Sequence, residues 1–120
     1  MAKVLIIDDS PSEIIRFTSM LSPRGYIIQS VNSGEEGIVN AKKLLPDLIL
    51  MDVVMGGMNG FQATRHIKQD PATASIPIIM VTTKDQLTDR VWAERQGAAG
   101  YLTKPVDESK LLDLIQELLS

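Results

Sequence analysis

The chain contains no cysteine, so neither a disulfide framework nor a thiolate metal site is possible. It also lacks an excess of basic residues, because its formal net charge is −3 and its isoelectric point is about 5.0. Surfaces that bind nucleic acids need a basic stripe to neutralise phosphates. We therefore expect no nucleic acid among the partners of this protein.

Long hydrophobic runs are missing as well, since no apolar stretch approaches the roughly 20 residues that a membrane-spanning helix requires. The N-terminal segment Met1–Ile7 is too short for a signal peptide, and the acidic residues Asp8 and Asp9 follow it at once. We expect a cytoplasmic protein without membrane insertion. Of the 120 residues, 44% are hydrophobic and 22% are charged. This length and this composition are typical of one globular domain.

Short apolar runs alternate with longer amphipathic segments along the chain. The runs are Val4–Ile7, Tyr26–Val31, Leu48–Met51, Ile76–Val81 and Tyr101–Leu102. The first four are rich in Ile, Leu and Val with little alternation, which is typical of strands buried on both faces of a parallel sheet. Five alternations without a break in composition predict one doubly wound, three-layer α/β domain over residues 1–120, with no output domain. One order known for such a flavodoxin-like (βα)5 sheet is 2-1-3-4-5, which makes the first and third strands neighbours, and this is the order we expect here.

Helix boundary signals fit this alternation. Side chains that can cap a helix N-terminus precede four of the amphipathic segments, at Ser10, Ser33, Thr83 and Asp107, the first three in capping-box patterns. Glycine or proline follows the predicted helix ends, at Gly25, Pro46, Pro71 and Gly97. The last helix has a broad apolar face, whereas the fourth has only a thin stripe of Leu87, Val91 and Ala98. The fourth helix is therefore predicted to be the one that moves most easily.

Three aspartates stand at predicted strand ends. Asp8 and Asp9 follow the first strand and Asp52 ends the third. If these strands are neighbours, the three carboxylates share one pocket and repel each other, and a divalent cation relieves the repulsion. Oxygen ligands of this kind suit Mg²⁺. The alternative is that Asp8 and Asp9 only cap the first helix.

Two further residues at strand ends complete a pocket for phosphoryl chemistry. A carboxylate can act as nucleophile and form an aspartyl phosphate. Lys104, after the fifth strand, can neutralise phosphoryl oxygens, and the hydroxyl of Thr82, at the end of the fourth, can donate to them. Taken alone, Thr82 could equally satisfy a backbone group, and Lys104 could be a solvated loop lysine.

These motifs resemble the CheY-like receiver domains of two-component response regulators. The matching segments are Val4–Ser10 with its Asp-Asp pair, Asp52–Met55 with Gly60, Met80–Thr82, and Lys104-Pro105. The resemblance implies that Asp52 is the phosphoacceptor and that Mg²⁺ is held by Asp9, by Asp52, by the Val54 carbonyl and, through water, by Asp8. It also implies that Lys104 contacts the phosphoryl group and that the Lys104–Pro105 peptide is cis.

The same resemblance implies how such a domain signals. A histidine kinase of the CheA-like kind supplies the phosphoryl group, and Thr82 and Tyr101 act as the switch that alters the surface of the fourth helix, fifth strand and fifth helix. A downstream effector or motor protein binds that altered surface. The domain dephosphorylates itself slowly and is not a turnover enzyme. We expect a monomer.

Within the family, Thr83–Trp92 and Arg95–Ala98 are similar to the stand-alone receivers of twitching-motility and chemosensory systems, the PilH type. One departure is Gly56-Gly57, where many members carry a proline after the methionine, and this loosens the loop. Trp92 either packs on a neighbouring helix or belongs to an exposed partner-binding patch. His66, without a second ligand at metal-binding spacing, is predicted to be solvated.

Four alternatives remain at this point. A haloacid-dehalogenase-type hydrolase needs a second acid two residues after its nucleophile, where Val54 stands here. A flavodoxin-type cofactor binder needs a hydroxyl- and glycine-rich first loop, but Asp8 and Asp9 would repel a phosphate there. A receiver that only drains phosphate from another regulator, and a degenerate receiver that only binds proteins, share all the motifs above.

Overall fold

The computed structural model describes residues 1–83 and 87–120, with Leu87 described by its backbone alone. Its centre is a five-stranded parallel sheet in the order β2-β1-β3-β4-β5. The strands are β1 (Lys3–Ile7), β2 (Ile27–Val31), β3 (Leu48–Asp52), β4 (Ile78–Thr82) and β5 (Gly100–Thr103). The predicted order 2-1-3-4-5 is confirmed.

Five helices connect and follow the strands. They are α1 (Pro11–Leu21), α2 (Gly34–Leu44), α3 (Gly60–Gln69), α4 (Leu87–Arg95) and α5 (Glu108–Leu119), and a short 3₁₀ turn at Ser22–Arg24 extends α1. In the described part of the chain, none of these helices has the length and apolar character needed to cross a membrane.

The core lies on both faces of the sheet because successive strand side chains point to opposite sides. On one face, residues such as Leu5 and Ile7 pack against α2, α3 and α4. On the other face, Val4 and Ile6 pack against α1 and α5. This arrangement is the predicted three-layer α/β/α domain.

Side-chain caps fix where several helices begin. Ser10, Ser33 and Asp107 each accept a hydrogen bond from the backbone N–H three residues later, at 3.4, 3.1 and 3.0 Å. A reciprocal capping box forms at α3, where Asn59 and Gln62 bond each other's backbone N–H at 2.9 and 3.0 Å. The sequence analysis did not single out that box. The box predicted at Thr83 runs into 84–86, outside the described residues.

Two packing expectations were wrong. The second strand was expected to be buried on both faces, but β2 is at the edge of the sheet, and Ile27 is 47% exposed. The stripe predicted for α4 included Val91, which is 39% exposed, whereas Ala93 is buried in the core. Ala98 does pack partly against the core, and the side chain of Leu87 lies outside the described residues.

Candidate metal centre

Strand register brings the predicted site residues to one edge of the sheet. Ile7 is paired with Met51, Asp52 with Val81, and Thr82 with Thr103. Because the strands are parallel, the residues that end or follow them meet at the same carboxyl edge. This is where Asp8, Asp9, Asp52, Thr82 and Lys104 lie.

The three aspartates form one cluster, since each offers a carboxylate oxygen that lies within 4.8 Å of the others. Asp8 and Asp52 are buried, at 2% and 6% exposure, and Asp9 is exposed. One oxygen of Asp8 accepts a hydrogen bond from Ser10 N–H at 2.9 Å, so Asp8 does take part in the turn before α1. Its other oxygen faces the pocket.

Lys104 joins two of these carboxylates. Its Nζ donates to Asp8 Oδ2 at 3.0 Å and to Asp52 Oδ1 at 3.2 Å, and its side chain is only 11% exposed. Burial by itself would lower the pKa of Lys104, but the hydrogen bond to Asp8 and the charges of Asp52 and Asp8 raise it above its ordinary value. Lys104 is therefore a largely buried cation of the site and not a solvated loop lysine.

A backbone hydrogen bond positions Lys104, because its N–H donates to the Thr82 carbonyl at 2.7 Å. The Lys104–Pro105 peptide is cis, as the resemblance implied. Two residues further on, the Val106 carbonyl accepts a hydrogen bond from Arg16 Nη2 at 2.7 Å, which ties α1 to this loop. Sequence reasoning missed Arg16 because one arginine on an amphipathic helix carries no pattern of its own.

The electrostatics of the cluster are unbalanced. Burial first, then the neighbouring charge of Asp8, raises the pKa of Asp52 to about 6, although Lys104 acts in the opposite direction. Three carboxylates face one lysine, so an additional cation is favoured when all are ionised. An all-oxygen donor set of this size fits a hard divalent ion such as Mg²⁺.

The remaining predicted residues lie around this cluster. Thr82 is completely buried at the end of β4. Tyr101, on β5, is partly buried against the core, and the guanidinium carbon of Arg90 lies 4.9 Å from the centre of its ring. Val54 follows Asp52 by two residues and is 55% exposed. Because its side chain has no donor or acceptor atom, only its backbone carbonyl could be a ligand.

Gly60 fixes the approach of α3 to the site for a steric reason. A Cβ atom at this position would lie 2.1 Å from the Asp52 carbonyl oxygen, which no side chain can tolerate. Gly60 N–H also donates to the Val53 carbonyl at 2.9 Å. The sequence motif included Gly60, but only the structure supplies this reason.

Of the Gly56-Gly57 pair, Gly57 has a conformational reason to be glycine, whereas a Cβ at Gly56, directly after Met55, would meet nothing within 4 Å. Gly57 has a φ of +74°, a left-handed conformation that favours glycine, and Glu35 of α2 lies beside it. The next residue, Met58, lies against Gly34 at the start of α2. The loop after Asp52 is thus seated on α2.

Comparison with known proteins agrees with this geometry. The response regulator receiver domain family matches residues 4–116, and the chain belongs to this family. This membership removes the hydrolase and flavodoxin alternatives.

Among individual relatives, the chain is 52% identical over 120 residues to protein PilH of Pseudomonas aeruginosa, covering 100% of this chain and 99% of PilH. The crystal structure of the chemotaxis protein CheY4 of Vibrio cholerae is similar, with a TM-score of 0.93 and 33% identity over 99% of both chains. The receiver domain of the sensor histidine kinase PA1611 from Pseudomonas aeruginosa, solved with a magnesium ion in its active-site cleft, has a TM-score of 0.91 and 28% identity, covering 98% of this chain and 97% of that one.

Two residues outside the pocket complete the comparison with sequence expectations. His66 is exposed on α3, as predicted. Trp92 is 53% exposed, yet its ring also lines a groove between α3 and α4. Trp92 therefore lies beside residues of α3 while about half of it stays exposed, and its membership in a partner-binding patch stays a prediction.

Proposed function

We propose that this protein is a stand-alone receiver that accepts a phosphoryl group on Asp52 from a histidine kinase, with Mg²⁺ as cofactor. The observation that carries the proposal is the buried Asp52 carboxylate, which lies in hydrogen-bonding contact with Lys104 and next to Asp8 and Asp9. Such a carboxylate can attack phosphorus, while Lys104 supplies positive charge to the phosphoryl oxygens.

In the proposed reaction, an Asp52 oxygen forms a bond to the phosphorus of a kinase phosphohistidine as the phosphorus–nitrogen bond breaks. The released imidazole leaves with the kinase. Lys104, freed from Asp52, keeps its bond to Asp8 and turns its remaining donors to the new phosphate. Asp8, Asp9, Asp52 and the Val54 carbonyl would hold Mg²⁺, which neutralises the charge of the phosphoryl oxygens. Receiver domains are phosphoacceptors and not turnover enzymes.

Signal output is proposed to pass through Thr82 and Tyr101. The phosphate adds about two negative charges and strong hydrogen-bond acceptors, to which the buried Thr82 hydroxyl can donate. Tyr101 borders a depression of about 220 Å³ between α4 and β5, so its ring has space to change position when Thr82 does. The face formed by α4, β5 and α5 would then change for an effector or motor protein. Such a change shifts populations of existing states.

The similarity to PilH over 99% of that protein's length supports a single-domain organisation and a place in type IV pilus motility or chemosensory signalling. A CheA-like kinase, a cytoplasmic location and a monomeric state complete the proposal. A phosphate-sink role uses the same chemistry, and it differs in that the phosphorylated form binds no effector.

The test is phosphorylation by acetyl phosphate with Mg²⁺, followed by intact-protein mass spectrometry. We expect one added phosphoryl group in the wild type and none in Asp52→Asn. Asp113→Asn, which removes an exposed carboxylate on α5, is the matched control and should behave as wild type. Continuous release of inorganic phosphate at enzymatic rates would indicate a hydrolase. If the wild type gains no phosphoryl group, the remaining hypothesis is a degenerate receiver that only binds proteins.

A further inference from the structure

A surface groove between α3 and α4 is not used by the proposed phosphotransfer. It consists of two adjoining depressions of about 400 and 460 Å³ that share Arg65, Trp92 and Gln96. The depression beside Tyr101 is lined by Arg90 and Glu94 instead, so it lies on another flank of α4. The groove thus contains no residue of the carboxylate cluster, and it shares α4 with the α4–β5–α5 face but uses another side of that helix.

The centre of the groove is aromatic. Trp92 is the single tryptophan of the chain and is 53% exposed, and the partly buried Phe61 of α3 lines the same depression. A large aromatic side chain exposed in a concave surface offers considerable apolar area at little entropic cost, and such residues dominate the binding energy of protein interfaces.

The charge of the groove is opposite to that of the whole molecule. The larger depression is lined by Arg65, Lys68 and Arg95, and no carboxylate belongs to its lining in the described part of the chain. Lys68 Nζ already donates to the Ala74 and Ile76 carbonyls, at 3.1 and 2.5 Å.

The two arginines are different from Lys68. Neither Arg65 nor Arg95 forms an ion pair with any described carboxylate. On a chain of net charge −3, two such guanidinium groups beside an exposed indole form a local basic site. Guanidinium groups are well suited to bidentate contacts with carboxylates.

We propose that this groove binds an extended acidic segment of a partner protein, with one apolar side chain packed on Trp92 and carboxylates paired with Arg65 and Arg95. Two adjoining open depressions favour a chain segment over a small molecule, which needs a pocket that covers most of its surface. Asp89 lines the smaller depression and would repel acidic residues of the bound segment there. The acidic residues of the segment are therefore expected in the larger depression.

The experiment uses the fluorescence of Trp92, which reports directly from the groove because no other tryptophan exists. The probe is a blocked seven-residue peptide that alternates acidic residues with leucine, and its matched control carries Asn and Gln instead of Asp and Glu. We expect a saturable, salt-sensitive change with the acidic peptide alone. The combined change R65Q and R95Q should weaken binding about fivefold, which corresponds to about 1 kcal/mol in total and so to about 0.5 kcal/mol for each exposed ion pair.

Arg24→Gln is the charge control for each single arginine change, because Arg24 is exposed and lies outside the groove. Calorimetry on Trp92→Phe should show weaker binding, which keeps the inference testable without the fluorophore. Equal affinity in R24Q and in the double variant would overturn the proposal, as would no saturation at millimolar peptide. Tighter binding of adenosine monophosphate than of the acidic peptide would assign the groove to a nucleotide, and this result would also overturn the proposal.

Discussion

At the scale of single residues, Asp52 carries an electrostatic cost when it is ionised. Its carboxylate is buried beside Asp8, and burial and this neighbouring charge raise its pKa to about 6 from an ordinary value near 3.8. Lys104 compensates only part of the charge. The residue best placed to be a nucleophile is therefore also one that destabilises the metal-free fold when ionised.

Substituting Asp52 by Asn should show this as a pH effect. In chelator, the folded wild type binds the Asp52 proton more tightly than the unfolded chain, so this group lowers stability as pH rises from about 4 to about 6. Asp52→Asn lacks the effect. The stability of Asp52→Asn minus that of the wild type, as free energy of unfolding, should therefore be larger at about pH 7.5 than at about pH 4.5. We expect this increase to be about 2 kcal/mol. Urea unfolding at both pH values measures the difference, and a gap independent of pH would contradict it.

Gly60 gives a steric prediction at the same scale. Because an added Cβ would lie 2.1 Å from the Asp52 carbonyl, Gly60→Ala must push α3 away from β3. We expect a loss of about 1–3 kcal/mol in unfolding free energy and slower phosphorylation by acetyl phosphate. Gly56→Ala is the matched control, since nothing lies within 4 Å of a Cβ there and its change should stay within about 0.5 kcal/mol. Similar losses in both variants would show that the close approach at Gly60 is unimportant.

At the scale of elements, α4 and α5 differ in how firmly they are attached to the sheet. Ala93 is the buried side chain among those described in α4, whereas α5 buries Leu111 and Ile115 and packs four further leucines on the core. Less buried apolar area means a smaller free energy of local opening.

Native-state hydrogen exchange should resolve this difference. We expect the backbone amides in the middle of α4 to exchange at least tenfold faster than those of α5, since tenfold corresponds to about 1.4 kcal/mol, less than the burial of one leucine. Mass spectrometry of the two helical peptides measures it, with α5 as the internal reference. Equal protection would mean that α4 opens only with the whole domain.

At the scale of the whole molecule, the sequence predicted what depends on chain order. Asp8, Asp52 and Lys104 could be placed together because each ends or follows a strand, and the strand order confirmed by the structure brings those ends to one edge. Packing detail could not be predicted, because it depends on how elements meet in space. Ala93 instead of Val91 faces the core, and Arg16 reaches a carbonyl 90 residues away.

The same dependence on the whole sheet leads to a prediction for Mg²⁺. The carboxylates come from the ends of β1 and β3, so the unfolded chain has no such site, and a cation that binds only the folded state stabilises it by mass action. At about 100 times the dissociation constant the gain is about 2.7 kcal/mol, or a rise of several degrees in melting temperature for a domain of this size. Thermal unfolding with Mg²⁺ or chelator measures the rise, which should shrink in Asp52→Asn and persist in Asp113→Asn. If both variants keep the full rise, the cation binds elsewhere, and the buried carboxylates at this edge are not its ligands.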